Sequence, residues 1–542
     1  MQIFRGLLLS WLAFICYFCR PINYFVMKNL LKHILAGFFL AGAALSGAQS
    51  VVILHTNDTH SHIDAENGVG GVLQRKAIVD SVRRAEKNVL LVDAGDIVQG
   101  TLYYKLFGGE VEYPLMKLLG YDMQILGNHE FDNGIEALAR YYKRDEPVKL
   151  SANYDVSGTA LRGVLRPWVI KNVGGKKVGF FGINLDPDGI IDAGSARGVV
   201  YRDMVAAADS TAALLRRKGC VAVVAISHIG YSDDSGHDLV TDPKLASLTR
   251  GIDVIIGGHS HEVVAPGGDQ PNVVMNAEGK PVLIAQTGRY GANLGYIKLD
   301  LADMSKVQAR MIPVAGVDSS RFDRKVMDYL RPYAHVVDSI NNHVIARCGV
   351  DMQNSKRYGT SVLLSNLTAD IAAMYGGRVL DSIASEMLPG RLGVDLAIMN
   401  SGGIRLPFPK GDVTEGQVLS AFPFSNHLVI VEMRGDLLAE LLEQVAGQGG
   451  QAVSAGTEIS LDPATGKVRG MLVGGRPIDA GRNYYVATLD YLAGGGDYLS
   501  LFPRGRVVWR DEKEFCAPVM EYMSEMGRQG LALDPDPRSR IR

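Results

Sequence analysis

Six short apolar runs recur between residues 51 and 300, each giving way to polar residues and glycine. They read 51-VVIL-54, 89-VLLVDAGD-96, 124-QILGNHE-130, 178-VGFFGIN-184, 221-VAVVAISH-228 and 252-IDVIIGGHSH-261. Their Val- and Ile-rich composition predicts strands. Intervening stretches such as 205-VAAADSTAALLRRKG-219 predict helices, with basic residues and glycine where a helix C-terminus favours them. Continuously apolar strands alternating with helices imply sheets covered on both faces, the α/β class. In that class, polar clusters at the carboxyl ends of strands are where sites form. The pattern changes in 321–344, a long polar segment that predicts a helical connector with a proline inside. This separates a domain at 49–320 from a second at 345–542. The second carries strand patterns at 394-VDLAIMN-400, 428-LVIVEMRG-435 and 484-YYVATLD-490, and helices near 361–374 and 436–446. No internal repeat or low-complexity tract is seen.

The first 48 residues follow another pattern. The segment 27-MKNLLKHILAGFFLAGAALSGAQS-50 has a basic start, an apolar middle and small residues at its end, as a secretory signal does. Ser46 and Ala48 fit a cut after Ala48. Upstream, 7-LLLSWLAFICYFC-19 is apolar until Arg20, Pro21 and Asn23, so either Met27 is the true start or the leader is long. Neither block reaches the ~18 uninterrupted apolar residues of a membrane span. No Arg-Arg pair precedes the apolar core, which disfavours a twin-arginine route. The mature protein is expected to be soluble, without a stable membrane anchor, and periplasmic or secreted through a Sec-type signal. The length of 542 residues suits two or more domains. A net charge of −2 gives no electrostatic case for a nucleic-acid polymer. Past the leader, Cys220, Cys348 and Cys516 are too few and scattered for a disulfide framework. An oxidising compartment would permit a Cys348–Cys516 bridge, which the sequence leaves open. Cys220 reads as a small buried apolar residue.

The strand ends carry the chemistry. Asp58 and His60 follow the first run, Asp96 the second, Asn128 and His129 the third, His228 the fifth, and His259 and His261 the last. Any one alone is more often a capping or core-satisfied residue than a ligand. In a sheet-based domain, however, all could converge on one edge. Mixed carboxylate, imidazole and amide groups suit zinc, manganese or iron. So many exceed the needs of one ion but match two divalent ions sharing a bridging carboxylate.

The ordered set D-x-H, G-D, G-N-H-x-x-D, H, G-H-x-H resembles the calcineurin-like metallophosphoesterases with two metals. The resemblance implies a four-layer α/β/β/α domain. It also implies one ion held by Asp58, His60, Asp96 and His261, and a second by the bridging Asp96 with Asn128, His228 and His259. His129 and Asp132 match the catalytic pair, the imidazole stabilising the attacked phosphoryl group and the carboxylate orienting it. His55 and His62 have no ligand role in that pattern and are taken as structural. Two dications would supply hydroxide near neutral pH and neutralise phosphoryl charge during in-line displacement.

The second domain resembles the C-terminal domain of the 5'-nucleotidases, and 150-LSAN-153 and 286-QTGRYGANLG-295 extend that likeness over nearly all of the mature chain. The resemblance implies an α/β nucleotide-binding domain, α+β for the whole. Asn400 and Arg405 of 400-NSGGIR-405 match contacts to the nucleoside and its phosphate-ribose side. Phe424 and Asn426 match a stacking aromatic and a base contact; Tyr491 matches the second aromatic, commonly Phe in relatives, and Asp497 a ribose ligand. One departure is Thr360, with Lys356 and Arg357 upstream, where relatives often carry a phosphate-binding arginine. The expected function is an exported metal-dependent 5'-nucleotidase that releases nucleoside and phosphate. A UDP-sugar hydrolase or 2',3'-cyclic-nucleotide 2'-phosphodiesterase shares the architecture and stays open. A non-catalytic nucleotide-binding surface protein would be free to lose ligands, and none is missing. A dinucleotide-dependent oxidoreductase lacks a G-x-G-x-x-G after a strand. A small aryl phosphate is expected to need the metals and little of the aromatic clamp. The native metal, base preference and oligomeric state stay open.

Overall fold

Strand β1 (Ser50–Thr56) is apolar throughout because both of its faces are covered. Val51 and Ile53 join a core shared with Val224 and Ile256 of a second sheet, while Val52 and Leu54 join one shared with helices. Side chains alternate along a strand, so two covered faces demand a continuous apolar run. Parallel to β1 lie β2 (Val89–Asp93), β3 (Met123–Ile125) and β4 (Val148–Leu150). The second sheet comprises β5 (Trp168–Val173), β6 (Lys176–Asn184), β7 (Cys220–His228), β8 (Val254–Ile256), short β9 (Val263–Val264) and β10 (Val273–Met275), and β11 (Pro281–Thr287). Its middle strands β6, β7, β8 and β11 are parallel. The chain then returns through β12 (Asn293–Asp300) and β13 (Val307–Pro313), antiparallel, to complete the first sheet.

Helices α1 (Val72–Ala85), α2 (Leu102–Phe107) and α3 (Glu112–Leu119) cover the outer face of the first sheet. Helices α4 (Met204–Arg217) and α5 (Asp242–Leu248) cover the second. Helix α4 starts where Asp203 accepts from the Ala206 amide at 2.7 Å, and it ends on Arg216 and Arg217, complementing the helix dipole. The result is the expected four-layer α/β/β/α sandwich. Its two sheets meet face to face and align the carboxyl ends of β1, β2, β7 and β8.

The connector is more than a linker. Helix α6 (Arg324–Asn341) is capped by Asp323, contains Pro332, and buries Val326, Leu330 and Val337 in the core beneath α1–α3. Those three residues lie on one helix face despite the polar composition around them. The second domain has its own five-stranded sheet. Its strands are β14 (Leu396–Asn400), β15 (His427–Arg434), β16 (Gln451–Val453), β17 (Asn483–Leu489) and β18 (Arg506–Glu514), in spatial order β16-β14-β17-β15-β18. Helix α7 (Leu363–Met387), longer than its sequence pattern suggested, covers one face, α8 (Gly435–Gln448) the other, and α9 (Cys516–Arg528) joins α7. Cys348 and Cys516 sit in the core beside α7 as separate free thiols, so the bridge left open by the sequence is not formed. Cys220 is buried among apolar side chains under α4.

The computed structural model describes residues 50–143, 147–233, 238–353, 363–387, 393–449 and 451–542. The leader at 1–48, and Lys356, Arg357 and Thr360, lie outside the described residues.

Candidate metal centre and substrate cleft

Loops from both sheets bring the strand-end residues together. Asp58 and His60 follow β1, Asp96 follows β2, His228 ends β7, and His259 and His261 follow β8. The Nε2 atoms of His60 and His261 are 3.0 Å apart, and each lies near Asp58 Oδ1, at 3.8 and 3.4 Å. Beside this group, His228 Nε2 stands 3.2 Å from Asp96 Oδ2, and His259 Nδ1 is 2.9 Å from Asn128 Oδ1. Asp96 also reaches His60 Nε2 at 3.8 Å and so stands between the groups. Ligand atoms around one cation, each about 2.1 Å from it, are roughly 3–4 Å from one another. Asp58, His60 and His261 bring their ligand atoms within 4.8 Å of one another, close to that spacing, as do Asp96, His228 and His259. The fold thus gathers all seven expected ligands into two adjoining sets that could each hold a divalent ion.

Charge points the same way. Burial opposes ionisation of Asp96, yet His228, His129 and His60 overcome it and hold its carboxyl well below the ordinary range. Burial also opposes protonation of His228, but Asp96 dominates and pushes its pKa up to about 10. With His228 Nδ1 engaged by the Ala94 carbonyl at 2.7 Å, Nε2 is left facing Asp96, where a cation would fit. His259, desolvated and facing His228, is lowered to about 4 and presents a neutral ring, as a metal ligand must.

The backbone is strained where these residues sit. Asp58, His60, Asp96, His259 and His261 all have positive φ, between 46° and 83°. Such strain persists only where surrounding contacts over-determine it. Two buried residues that the sequence reading did not single out supply such contacts. Glu130 accepts from the amides of Asp96 and Ile97 at 3.0 and 2.9 Å, and from Gly127. Asn57 donates to Asp58 Oδ2 at 2.7 Å and accepts from the Thr287 amide at 2.8 Å. Gly127 matters for space: a Cβ there would lie 2.1 Å from Asp96 Oδ1. His55 is fully buried, and desolvation lowers its pKa to about 3, consistent with a structural role. The ring of His62 stacks on Tyr290 at 3.8 Å and buttresses the first loop.

His129 and Asp132 face the cleft beside Asp96. His129 Nδ1 is 3.0 Å from Asp132 Oδ2, which directs Nε2 toward Asp96, 4.0 Å away. Burial disfavours its charge, but Asp132 and Asp96 outweigh that and raise the His129 pKa. Opposite stand Asn400, Arg405, Phe424, Asn426, Tyr491 and Asp497 of the second domain, lining the same cleft of about 1250 Å³. Phe424 does more than line it. Its ring centroid is 5.8 Å from that of His129, and the Arg405 guanidinium lies 5.7 Å from it on the cleft side. Sequence spacing alone could not place an aromatic of one domain against the imidazole of the other.

Known proteins share both halves. The family model for calcineurin-like phosphoesterase matches residues 51–263, and that for the 5'-nucleotidase C-terminal domain matches 343–504. The 5'-nucleotidase of Rattus norvegicus is 26% identical over 88% of this chain and 88% of its own length. A trifunctional nucleotide phosphoesterase of Bacillus subtilis is 27% identical over 84% of this chain, which spans 32% of that longer protein. The solved structure of a 5'-nucleotidase precursor from Thermus thermophilus superposes with a TM-score of 0.76 at 28% identity, covering 91% of this chain and 99% of its own.

Proposed function

From a chain that belongs to the 5'-nucleotidase family of calcineurin-like metallophosphoesterases, a phosphoric ester hydrolase, we infer an exported enzyme that hydrolyses nucleoside 5'-phosphates. The observation that carries this reading is the shared cleft: Asp96, Asn128, His259 and His261 of the ligand sets form one wall with His129, and Arg405, Phe424, Asn426 and Tyr491 the other. A phosphate at the first wall places the nucleoside against the second. In the proposal, Asp58, His60, Asp96 and His261 hold one divalent ion and Asp96, Asn128, His228 and His259 the other, with zinc or manganese suited to the donors. Such ions lower the pKa of water and neutralise phosphoryl charge.

The rest falls to the protein's own groups. The Ala94 carbonyl fixes one tautomer of His228, and Glu130 holds the Asp96 loop. Asp132 orients His129 and, with Asp96, favours its charged form against burial, so Nε2 can donate to a phosphoryl oxygen as charge builds on it. Arg405 adds positive charge from the facing wall, and Phe424 and Tyr491 supply apolar faces for a base. A cleft of about 1250 Å³ exceeds the roughly 300–1,000 Å³ of most small-molecule sites. That room supports nucleotide sugars as a second reading. Export rests on the signal-like segment before residue 49 and on relatives named as venom and precursor 5'-nucleotidases. Among the described residues no helix is long and apolar enough to cross a membrane.

The test uses protein beginning after Ala48, assayed with nucleotides, cyclic nucleotides and nucleotide sugars in zinc or manganese. Wild type should release phosphate from 5'-nucleotides. Asp96→Ala, which removes the group shared by both sets, should lose both ions and all turnover. Two tightly bound ions in that variant would overturn the ligand assignment.

A further inference from the structure

Gln451 and the Tyr491 hydroxyl are specificity-determining positioning residues: we propose that they aim Asp497 so that the cleft selects a free vicinal diol. The inference rests on the nucleotidase reading, in which Asp497 meets the ribose, and deepens it by naming the groups that aim that carboxylate. The pieces converge from three segments. Tyr491 donates its O–H to Asp497 Oδ1 at 2.9 Å and accepts the Asp497 amide at 3.1 Å. Gln451 Nε2 donates to Asp497 Oδ2 at 2.9 Å. Asp497 and Tyr498 both sit in the left-handed region, with φ of 51° and 57°, where non-glycine residues need such restraint. The Tyr491 ring lies flat on Gly496, where a Cβ would come within 2.5 Å of it, so the hydroxyl has little freedom to turn away.

What these groups leave unused indicates the ligand. The carboxylate of Asp497 dictates which end of the Gln451 amide faces it, so Oε1 is left over, buried and unpartnered. Asn400, directly opposite Gln451 in the pairing of β14 and β16, likewise has a buried, unpartnered Oδ1. Gln451 and Asn400 are only 9% and 7% exposed, and both line the cleft with Asp497. Each carbonyl and carboxylate oxygen can accept more than one hydrogen bond, so this corner offers acceptors in excess. A corner rich in acceptors matches hydroxyl groups and disfavours phosphate oxygens. A ribose with free 2'- and 3'-hydroxyls supplies two adjacent donors. A 2'-deoxyribose supplies one, and a 2',3'-cyclic phosphate none.

The experiment compares kcat and KM for a ribonucleoside 5'-monophosphate, its 2'-deoxy analogue and p-nitrophenyl phosphate in wild type, Tyr491→Phe and Gln451→Leu. The aryl ester reports the integrity of the metal centre in each protein. Wild type should prefer the ribonucleotide over the deoxynucleotide by about 10- to 100-fold in kcat/KM, the range of one hydrogen bond to a charged group. Either substitution should shrink that ratio toward one, chiefly through KM for the ribonucleotide. An unchanged ratio in both variants, equal losses on both nucleotides, or a wild type indifferent to the 2'-hydroxyl would overturn the proposal and leave the nucleotidase reading intact. Turnover of the aryl ester with none of either nucleotide would instead overturn the nucleotidase reading, and this inference with it.

Discussion

Replacing Phe424 with alanine separates its proposed role as a base platform from its contact with His129. As a platform for the base, Phe424 should contribute about 1–3 kcal/mol to nucleotide turnover. As a neighbour of His129, with ring centroids 5.8 Å apart, it should contribute a further ~0.5–1.5 kcal/mol to holding the imidazole. The sum, about 1.5–4.5 kcal/mol, corresponds to a loss of roughly 10- to 2,000-fold in kcat/KM for a nucleoside monophosphate. A small aryl phosphate has no base to stack but still uses His129, so it should lose about 2- to 12-fold, mostly in kcat. This revises the expectation that the small ester needs little of the aromatic clamp, because sequence alone gave no sign of the contact with His129. The assay is steady-state kinetics with AMP and p-nitrophenyl phosphate, with metal content measured in parallel. Equal losses on both substrates would refute base stacking on Phe424. An unchanged small-ester rate would refute the support of His129.

Two other consequences are open to direct measurement. His129→Ala leaves every proposed ligand in place, so metal content should persist while kcat falls about 10²-fold or more; metal loss with normal turnover per remaining ion would make His129 a ligand instead. Burial pushes the Glu112 carboxyl up to about 7 against an ordinary 4.5, with a hydrogen bond from Ser61 only partly opposing it. Below pH 4.5 both folded and unfolded chains hold this proton; between 4.5 and 7 only the folded chain does, so stability falls as pH rises. Above that window the deficit is about 3 kcal/mol, and Glu112→Gln should flatten the decline in Tm between pH 5 and 8. Parallel Tm curves for the two proteins would show that Glu112 ionises normally.

Much of the fold and of the candidate metal centre was legible along the chain. Val51 to Leu54 announce a strand covered on both faces, and the proposed ligands fall at strand ends, because alternation and hydrophobic burial are local rules written residue by residue. The same rules identified α4, while the family resemblance left His55 and His62 outside the ligand set. Other features depend on proximity between distant segments, which no local period encodes. Asp58 accepts the amide of His259, 201 positions away, and Glu130 grips the Asp96 loop 34 positions back. The polar composition of 321–344 concealed the three buried residues with which α6 docks on the first domain. Gln451 carried no motif, and only the pairing of β16 with β14 sets it beside Asn400 and within reach of Asp497. Phe424 could be read as a clamp residue, but its contact with His129 follows from how the domains meet. Residue types and their order therefore determined which chemistry was available, while chain folding decided which groups desolvate, strain and orient one another, because those effects act across space over a few ångströms and not along the sequence.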